Sequence, residues 1–387
     1  MKSENLSEIV LPSGIRSRYV NNHNGLLVHV LEAGFEDDNR PVLMLLHGFP
    51  ELAYSWRKIM VPLAAAGYHV IAPDQRGYGR TTGWKGSYDQ NPAAFRTHNM
   101  ARDVLGLSMA MGIREVDGVI GHDFGAVIAS YCTLVRPDFF RKLVLLSVPF
   151  AGAPDLPFDT VDESPGGWNL SSKIYLDLAS LPRPRKDNQV YFGSRWANDD
   201  MMNCPQGLHD FLRAYFHVKS ADWKENKPQP LAAFSAEELA KVPAYYYMDM
   251  EATMPETVAP YMPSTDQIAS CKWLTDSELK FYSEEFERTS FQGAVQWFRC
   301  YTGEIGRTEL ELFSGKAIDV PSCYIAGESD WGMFRRPGAV EKMRAGACSR
   351  LERFEIIKNA GHWVQQEAPE RVSEIAIEFL NAASPKT

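Results

Sequence analysis

Gly121-His122-Asp123-Phe124-Gly125 sets a carboxylate directly after an apolar run and at the start of a helical pattern. The form G-x-D-x-G is the aspartate counterpart of the G-x-S-x-G turn that presents a nucleophile. Small residues let a strand turn tightly into a helix, so the central side chain projects at the top of a sheet. A carboxylate placed there can displace a leaving group from a saturated carbon, and the ester it forms keeps a carbonyl for water to attack. The same Asp123 could instead only cap the helix that follows. G-x-S-x-G occurs nowhere in the chain, so no serine competes for the role.

Two further residues follow in the order nucleophile, acid, histidine. Asp330 stands in Gly327-Glu328-Ser329-Asp330-Trp331 and His362 in Asn359-Ala360-Gly361-His362-Trp363, each just after an apolar run. Taken singly they read as a turn aspartate and a surface histidine; their joint order and placement point to chemistry. His362 would be the base for water, with Asp330 orienting it and stabilising the imidazolium. An early His47-Gly48-Phe49-Pro50 turn adds a fourth part, in which the backbone amides of Phe49 and Phe124 would form an oxyanion hole.

Parallel strands buried on both faces suit the short apolar runs at Val42 to Leu46, His69 to Ala72, Val119-Ile120, Leu143 to Leu146, Ser322 to Ala326 and Phe354 to Ile357. Helical patterns alternate with them at Thr97 to Met111, Gly125 to Val135 and Pro369 to Asn381. The fold class is therefore α/β, a mostly parallel central sheet with helices on both faces. The alternation lapses over residues 150–316, which are rich in Pro, Trp, Tyr and short helical signals. That stretch reads as a large inserted, mainly helical cap on a core made of residues 1–149 and 317–387. Gly77-Tyr78-Gly79-Arg80-Thr81-Thr82-Gly83 has the wrong spacing for a dinucleotide loop and reads as structural.

With 387 residues, 45% of them hydrophobic, the chain can bury a large core without disulfides or metals. Its net charge of −9 and lack of basic runs argue against nucleic acid and anionic membranes as partners. The first five residues lack the apolar centre of a signal peptide, and no apolar stretch approaches the ~18 residues of a membrane span. Cys132, Cys204, Cys271, Cys300, Cys323 and Cys348 are scattered, as reduced thiols in a cytoplasmic protein would be. No metal-ligand spacing is present. A small, apolar substrate and no cofactor are expected, and a homodimer is compatible with the sequence.

Together the motifs His47-Gly48-Phe49-Pro50-Glu51, Tyr54-Ser55-Trp56-Arg57, Asp74-Gln75-Arg76-Gly77-Tyr78-Gly79, Gly121-His122-Asp123 and Gly361-His362-Trp363 carry a resemblance along the whole chain. The sequence resembles the soluble epoxide hydrolase branch of the α/β-hydrolase superfamily. The resemblance implies the α/β-hydrolase fold and attack by the Asp on an epoxide carbon to give an alkyl-enzyme ester. It implies hydrolysis of that ester by water that a His–Asp pair activates, and two cap tyrosines that protonate the epoxide oxygen.

Both tyrosine positions depart from that pattern. Phe298, in Gln296-Trp297-Phe298-Arg299, stands at one, and Asn188, in Asp187-Asn188-Gln189, at the other. Asn188 could donate a hydrogen bond but not a proton. Tyr191, Tyr215 and Tyr246 are the substitutes to weigh, with Trp297, Trp331 and Trp363 as further candidates for the pocket wall. A repurposed catalyst therefore stays open, using Asp123 and His362 for cyclisation, elimination, or C–C or ester cleavage on a bulky natural-product-like substrate. Phe124 weakens a dehalogenase reading, since it offers neither the Arg nor the Trp usual after that nucleophile. A receptor without turnover would have no need of Asp123, Asp330 and His362 together.

Overall fold

The computed structural model describes Leu6 and residues 8–156, 169–303 and 305–382. Residues 1–5, on which the signal-peptide expectation fell, lie outside the described residues. Among the described residues eight strands form the main sheet: β1 Ile15–Asn21, β2 Leu27–Ala33, β3 Val42–Leu46, β4 His69–Pro73, β5 Gly118–His122, β6 Leu143–Leu146, β9 Ser322–Gly327 and β10 Leu351–Ile357. Their spatial order is β1-β2-β4-β3-β5-β6-β9-β10. In that order all neighbours from β4 to β10 pair in parallel, while β1–β2 and β2–β4 are antiparallel, so among the described strands of this sheet β2 alone runs against the rest.

Strands β3, β5 and β6 are buried at every residue, as a sheet covered on both faces requires. Helix α1 (Arg57–Ala65) packs on the closing helix Pro369–Ala382, and α2 (Thr97–Ala110) packs on α3 (Phe124–Val135). Leu46 is paired with Gly121, Gly121 with Leu145, and Leu146 with Ile325. That register brings His47, Asp123, Ser147 and the turn after β9 to one edge of the sheet, where parallel strands end and loops begin. Strands β1 and β2 went unread in the sequence, because β1 is mostly exposed and the apolar run of β2, though buried from Val28 on, is broken by His29 and Glu32.

Between β6 and β9 the chain is mainly helical, with Asn169–Ala179, Asn188–Phe192, Leu208–Lys219, Asp276–Thr289 and Gln292–Thr302 as its longer or better-placed helices. Ser235 and Thr275 accept from amides three residues on, so the short capping signals there do start helices. A small antiparallel pair, β7 (Arg185–Asp187) and β8 (Tyr247–Asp249), ties its two halves together.

This segment is bolted to the sheet by polar contacts. Ser55 Oγ lies 2.7 Å from the Tyr282 hydroxyl, Arg57 Nε donates to Glu278 at 3.0 Å, and Trp297 Nε1 donates to the Arg76 carbonyl at 2.8 Å. Gly77 faces Gly293 so closely that a Cβ at Gly77 would sit 2.6 Å from the Gly293 oxygen. The glycine loop is structural for that reason. Among the described residues no helix is long and apolar enough to cross a membrane, and the six cysteines are unpaired.

Candidate active site

Asp123 occupies the turn between β5 and α3 with φ 51° and ψ −119°. That backbone is strained for a residue with a side chain, at a cost of order 1–3 kcal/mol. The neighbouring glycines are there for room. A Cβ on Gly121 would lie 2.3 Å from the Gly125 oxygen, and one on Gly125 2.0 Å from the Leu46 oxygen. A Cβ on Gly48 would lie 2.4 Å from the Asp123 Cβ. The turn is thus held by close approach around one strained aspartate.

The Asp123 carboxylate is divided between two partners. The Phe49 N–H donates to Oδ1 at 3.1 Å, and Oδ2 stands 3.5 Å from His362 Nε2. The Phe124 amide opens α3, where no carbonyl of its own helix can reach it. Burial works against ionisation of Asp123, yet His362, Lys219 and His122 outweigh it and hold the carboxyl well below the usual range.

On the other side of the imidazole, His362 Nδ1 lies 3.1 Å from Asp330 Oδ1 and 2.9 Å from Ser147 Oγ. An ionised carboxylate only accepts, so Nδ1 carries a proton toward Asp330, and Nε2 is the nitrogen that faces Asp123. The Gly332 N–H donates to the same Asp330 Oδ1 at 2.7 Å. Burial raises the Asp330 pKa, but His362, Ser147 and Gly332 together bring it below the ordinary value.

Behind the nucleophile lies a buried ion pair. His122 Nδ1 is 2.5 Å from Glu51 Oε2, and His122 Nε2 is 2.8 Å from the His362 carbonyl. A carbonyl cannot donate, and the Glu51 carboxylate already accepts from the Gly48 amide at 3.0 Å and from Gln365 Nε2 at 2.8 Å. Both ring nitrogens of His122 therefore donate, which makes it an imidazolium. Its burial opposes the charge, but Glu51 more than compensates and raises its pKa; Glu51 is lowered in turn, against its own burial, chiefly by His122. The His362 loop has its own clamp: Glu367 accepts from the amides of Gly361, Trp363 and Ala221 at 2.8–3.0 Å.

A cavity of about 480 Å³ opens over Asp123, within the size range of small-molecule sites. Phe49, Phe124, Asn188, Tyr215, Tyr246 and Phe298 line it. The Phe49 ring packs against Phe192 and Phe298 with centroids 4.7 and 5.2 Å apart, giving an apolar wall. Asn188 spends an amide hydrogen on the Tyr245 carbonyl at 2.8 Å, and its own oxygen has no partner among the described residues.

Four candidates lie outside this wall. The Tyr191 hydroxyl turns away to donate to Asp200 at 3.1 Å. Trp297 is fully buried beneath Phe124, at 4.9 Å between centroids. Trp363 is fully buried too, its Nε1 donating to the Phe216 carbonyl at 2.8 Å, and Trp331 is 5% exposed behind the turn that holds Asp330. Large aromatics next to a motif pack its underside.

Sequence reasoning missed Ser147, Glu367, the Glu51–His122 pair and two cations in the cavity wall, Lys219 and Arg335. Ser147 carried a usable signal, being the first residue after β6 at the same edge as Asp123. Lys219, at the end of a helix, carried none.

A family model described as alpha/beta hydrolase fold matches residues 41–369. Epoxide hydrolase A of Mycobacterium tuberculosis is 31% identical over 358 residues, covering 92% of this chain and 95% of that protein. Epoxide hydrolase 3 of Siraitia grosvenorii is 29% identical over 368 residues, covering 93% and 96%. Among solved structures, an epoxide hydrolase from an endophytic Streptomyces superposes with a TM-score of 0.76 at 26% identity, covering 96% of each chain. Potato (Solanum tuberosum) epoxide hydrolase I does so at 0.70 and 28%, covering 95% of this chain and 99% of that one.

Proposed function

The chain belongs to the alpha/beta hydrolase fold family, in its epoxide-hydrolase-like branch, and from that premise we propose that it hydrolyses an epoxide to a diol through an ester on Asp123. The observation that carries the reading is the division of the Asp123 carboxylate. Oδ1 already takes the Phe49 N–H, and Oδ2 faces both the cavity and His362 Nε2.

In the first step Asp123 Oδ2 attacks an epoxide carbon and the carbon–oxygen bond opens. Oδ1 becomes the ester carbonyl oxygen, already held by the Phe49 amide, with Phe124 as the second donor. In the second step His362 Nε2 takes a proton from water as that water adds to the ester carbonyl. Asp330, steadied by Gly332 and Ser147, stabilises the imidazolium. Charge then develops on Oδ1, where an amide stands ready without reorganisation. Residues 150–316 act as the cap that encloses the substrate, and the Phe49, Phe192 and Phe298 rings favour an apolar one.

A single turnover in heavy-oxygen water tests the ester. Solvent oxygen should enter Asp123, and the first diol should carry enzyme oxygen. Solvent label appearing directly in the first diol, with none in Asp123, refutes the ester.

The lack of a phenol at positions 188 and 298 supports a second reading, with Asp123 and His362 acting as bases in an elimination or cyclisation. Efficient conversion of simple epoxides to diols counts against it.

A further inference from the structure

We propose that Lys219 is the proton donor to the leaving oxygen, in the place of the two cap phenols that positions 188 and 298 lack. The inference rests on the epoxide-opening reading above. Lys219 ends the helix Leu208–Lys219, is only 3% exposed, and lines the same cavity as Asp123. Its carbonyl accepts the His362 amide at 2.9 Å, which fixes it to the loop that carries the imidazole.

Three aromatic faces surround the ammonium, with Tyr246 at 5.0 Å, Trp363 at 5.2 Å and Tyr215 at 5.4 Å from Nζ. Rings attract a cation without taking its proton. Among the described residues Nζ has no hydrogen-bond acceptor and no ion-pair partner within 4 Å. A buried cation with unspent donors is costly. An oxygen of a bound substrate, opposite the attacking carboxylate, would give those donors an acceptor.

The neighbouring phenols suit the task less well. Tyr215 and Tyr246 reach the cavity, but burial, and then Asp123 for the first and Asp330 for the second, push both well above the ordinary phenol range. Burial shifts Lys219 the other way, down to about 8, with Asp123, Asp330 and Glu51 opposing and Arg335 assisting. An acid is most effective when its pKa lies near the working pH. The groups that face Lys219 are thus Asp123 on the elbow, Glu51 after β3, Tyr246 before β8, Asp330 and Arg335 after β9, Trp363 beside His362, and Tyr215 on its own helix.

The step balances. Asp123 bonds to carbon, the carbon–oxygen electron pair passes to oxygen, and that oxygen takes a proton from Nζ. Hydrolysis delivers one water proton through His362 to the departing alcohol and leaves Asp123 as a carboxylic acid. The acid proton then restores the ammonium.

The test follows ester formation from styrene oxide by rapid quench and intact mass, in a His362→Gln background where the ester persists. With Lys219 in place, the rate should fall as pH rises through about 8. Lys219→Met should form ester about 10²–10⁴-fold more slowly, with a flat profile over that range. Lys219→Arg, charged to above pH ~12, should carry the alkaline limb out of range. The inference is overturned if Lys219→Met keeps a rate within about threefold of its parent, or if a limb near pH 8 persists in either variant. It is also overturned if Tyr215→Phe, with Lys219 intact, abolishes ester formation and the limb together. Should Lys219→Met not fold, the Lys219→Arg profile decides alone. A parent that forms no ester at any pH strikes the epoxide-opening reading itself, whereas an ester that forms at the same rate without Lys219 strikes only this inference.

Discussion

Replacing Asp330 by Asn isolates what the carboxylate's charge does, because the structure fixes which way the new amide must point. Two donors converge on Asp330 Oδ1, the Gly332 N–H at 2.7 Å and His362 Nδ1 at 3.1 Å. An amide nitrogen there would face both N–H groups and leave them unsatisfied, at about 1–3 kcal/mol each. The amide oxygen therefore takes the Oδ1 position and the NH₂ group takes that of Oδ2, which has no hydrogen-bond partner among the described residues. His362 keeps a proton on Nδ1 and its Nε2 toward Asp123. What is lost is charge: a hydrogen bond worth about 1.5–3 kcal/mol to a charged group becomes one worth about 0.5–1.5 kcal/mol. The difference of roughly 1–2 kcal/mol slows ester hydrolysis about 5–30-fold. A triad whose amide forces the wrong tautomer loses about 10⁴-fold instead. Single-turnover decay of the ester, after rapid formation from excess enzyme, reads the step directly. A loss near 10⁴-fold in Asp330→Asn would show that Gly332 and His362 do not set the orientation, and would sink the argument.

Glu51→Gln removes the partner of a buried imidazolium and should cost about 3–5 kcal/mol of stability; a loss under about 1 kcal/mol in urea unfolding would mean that His122 is not charged. Gly48→Ala puts a methyl 2.4–2.9 Å from Asp123 atoms. It should cost about 1–3 kcal/mol of stability and lower kcat at least about 10²-fold, so kcat within tenfold of the parent would contradict the close approach. Asp74, against its own burial, is held at about 2 by His29 and the Arg80 amide. Its folded pKa is depressed, so its contribution of roughly 2–3 kcal/mol is present above about pH 4 and is lost as pH falls toward 2. Asp74→Asn should flatten that part of the stability–pH curve, and an unchanged slope argues against the assignment.

The elbow, the order Asp123, Asp330, His362 and the buried strands were legible in the sequence because each is governed by local rules. A strand-to-helix turn needs small residues within two positions, a strand buried on both faces needs an unbroken apolar run, and a parallel sheet delivers its loops to one edge. None of this needs knowledge of distant partners. Only the tertiary structure could decide the rest. Ser147 meets His362 across 215 positions of sequence, and the His122 imidazolium is set by Glu51, 71 residues earlier. Tyr191 and the tryptophans at 297, 331 and 363 share motifs with cavity residues yet lie outside the wall, since a side chain's direction depends on what packs around its element. Lys219 is the sharpest case. A lysine at a helix end is ordinarily solvated, and it became a buried, unpaired cation only because the sheet and the helices between β6 and β9 closed three aromatic rings around it.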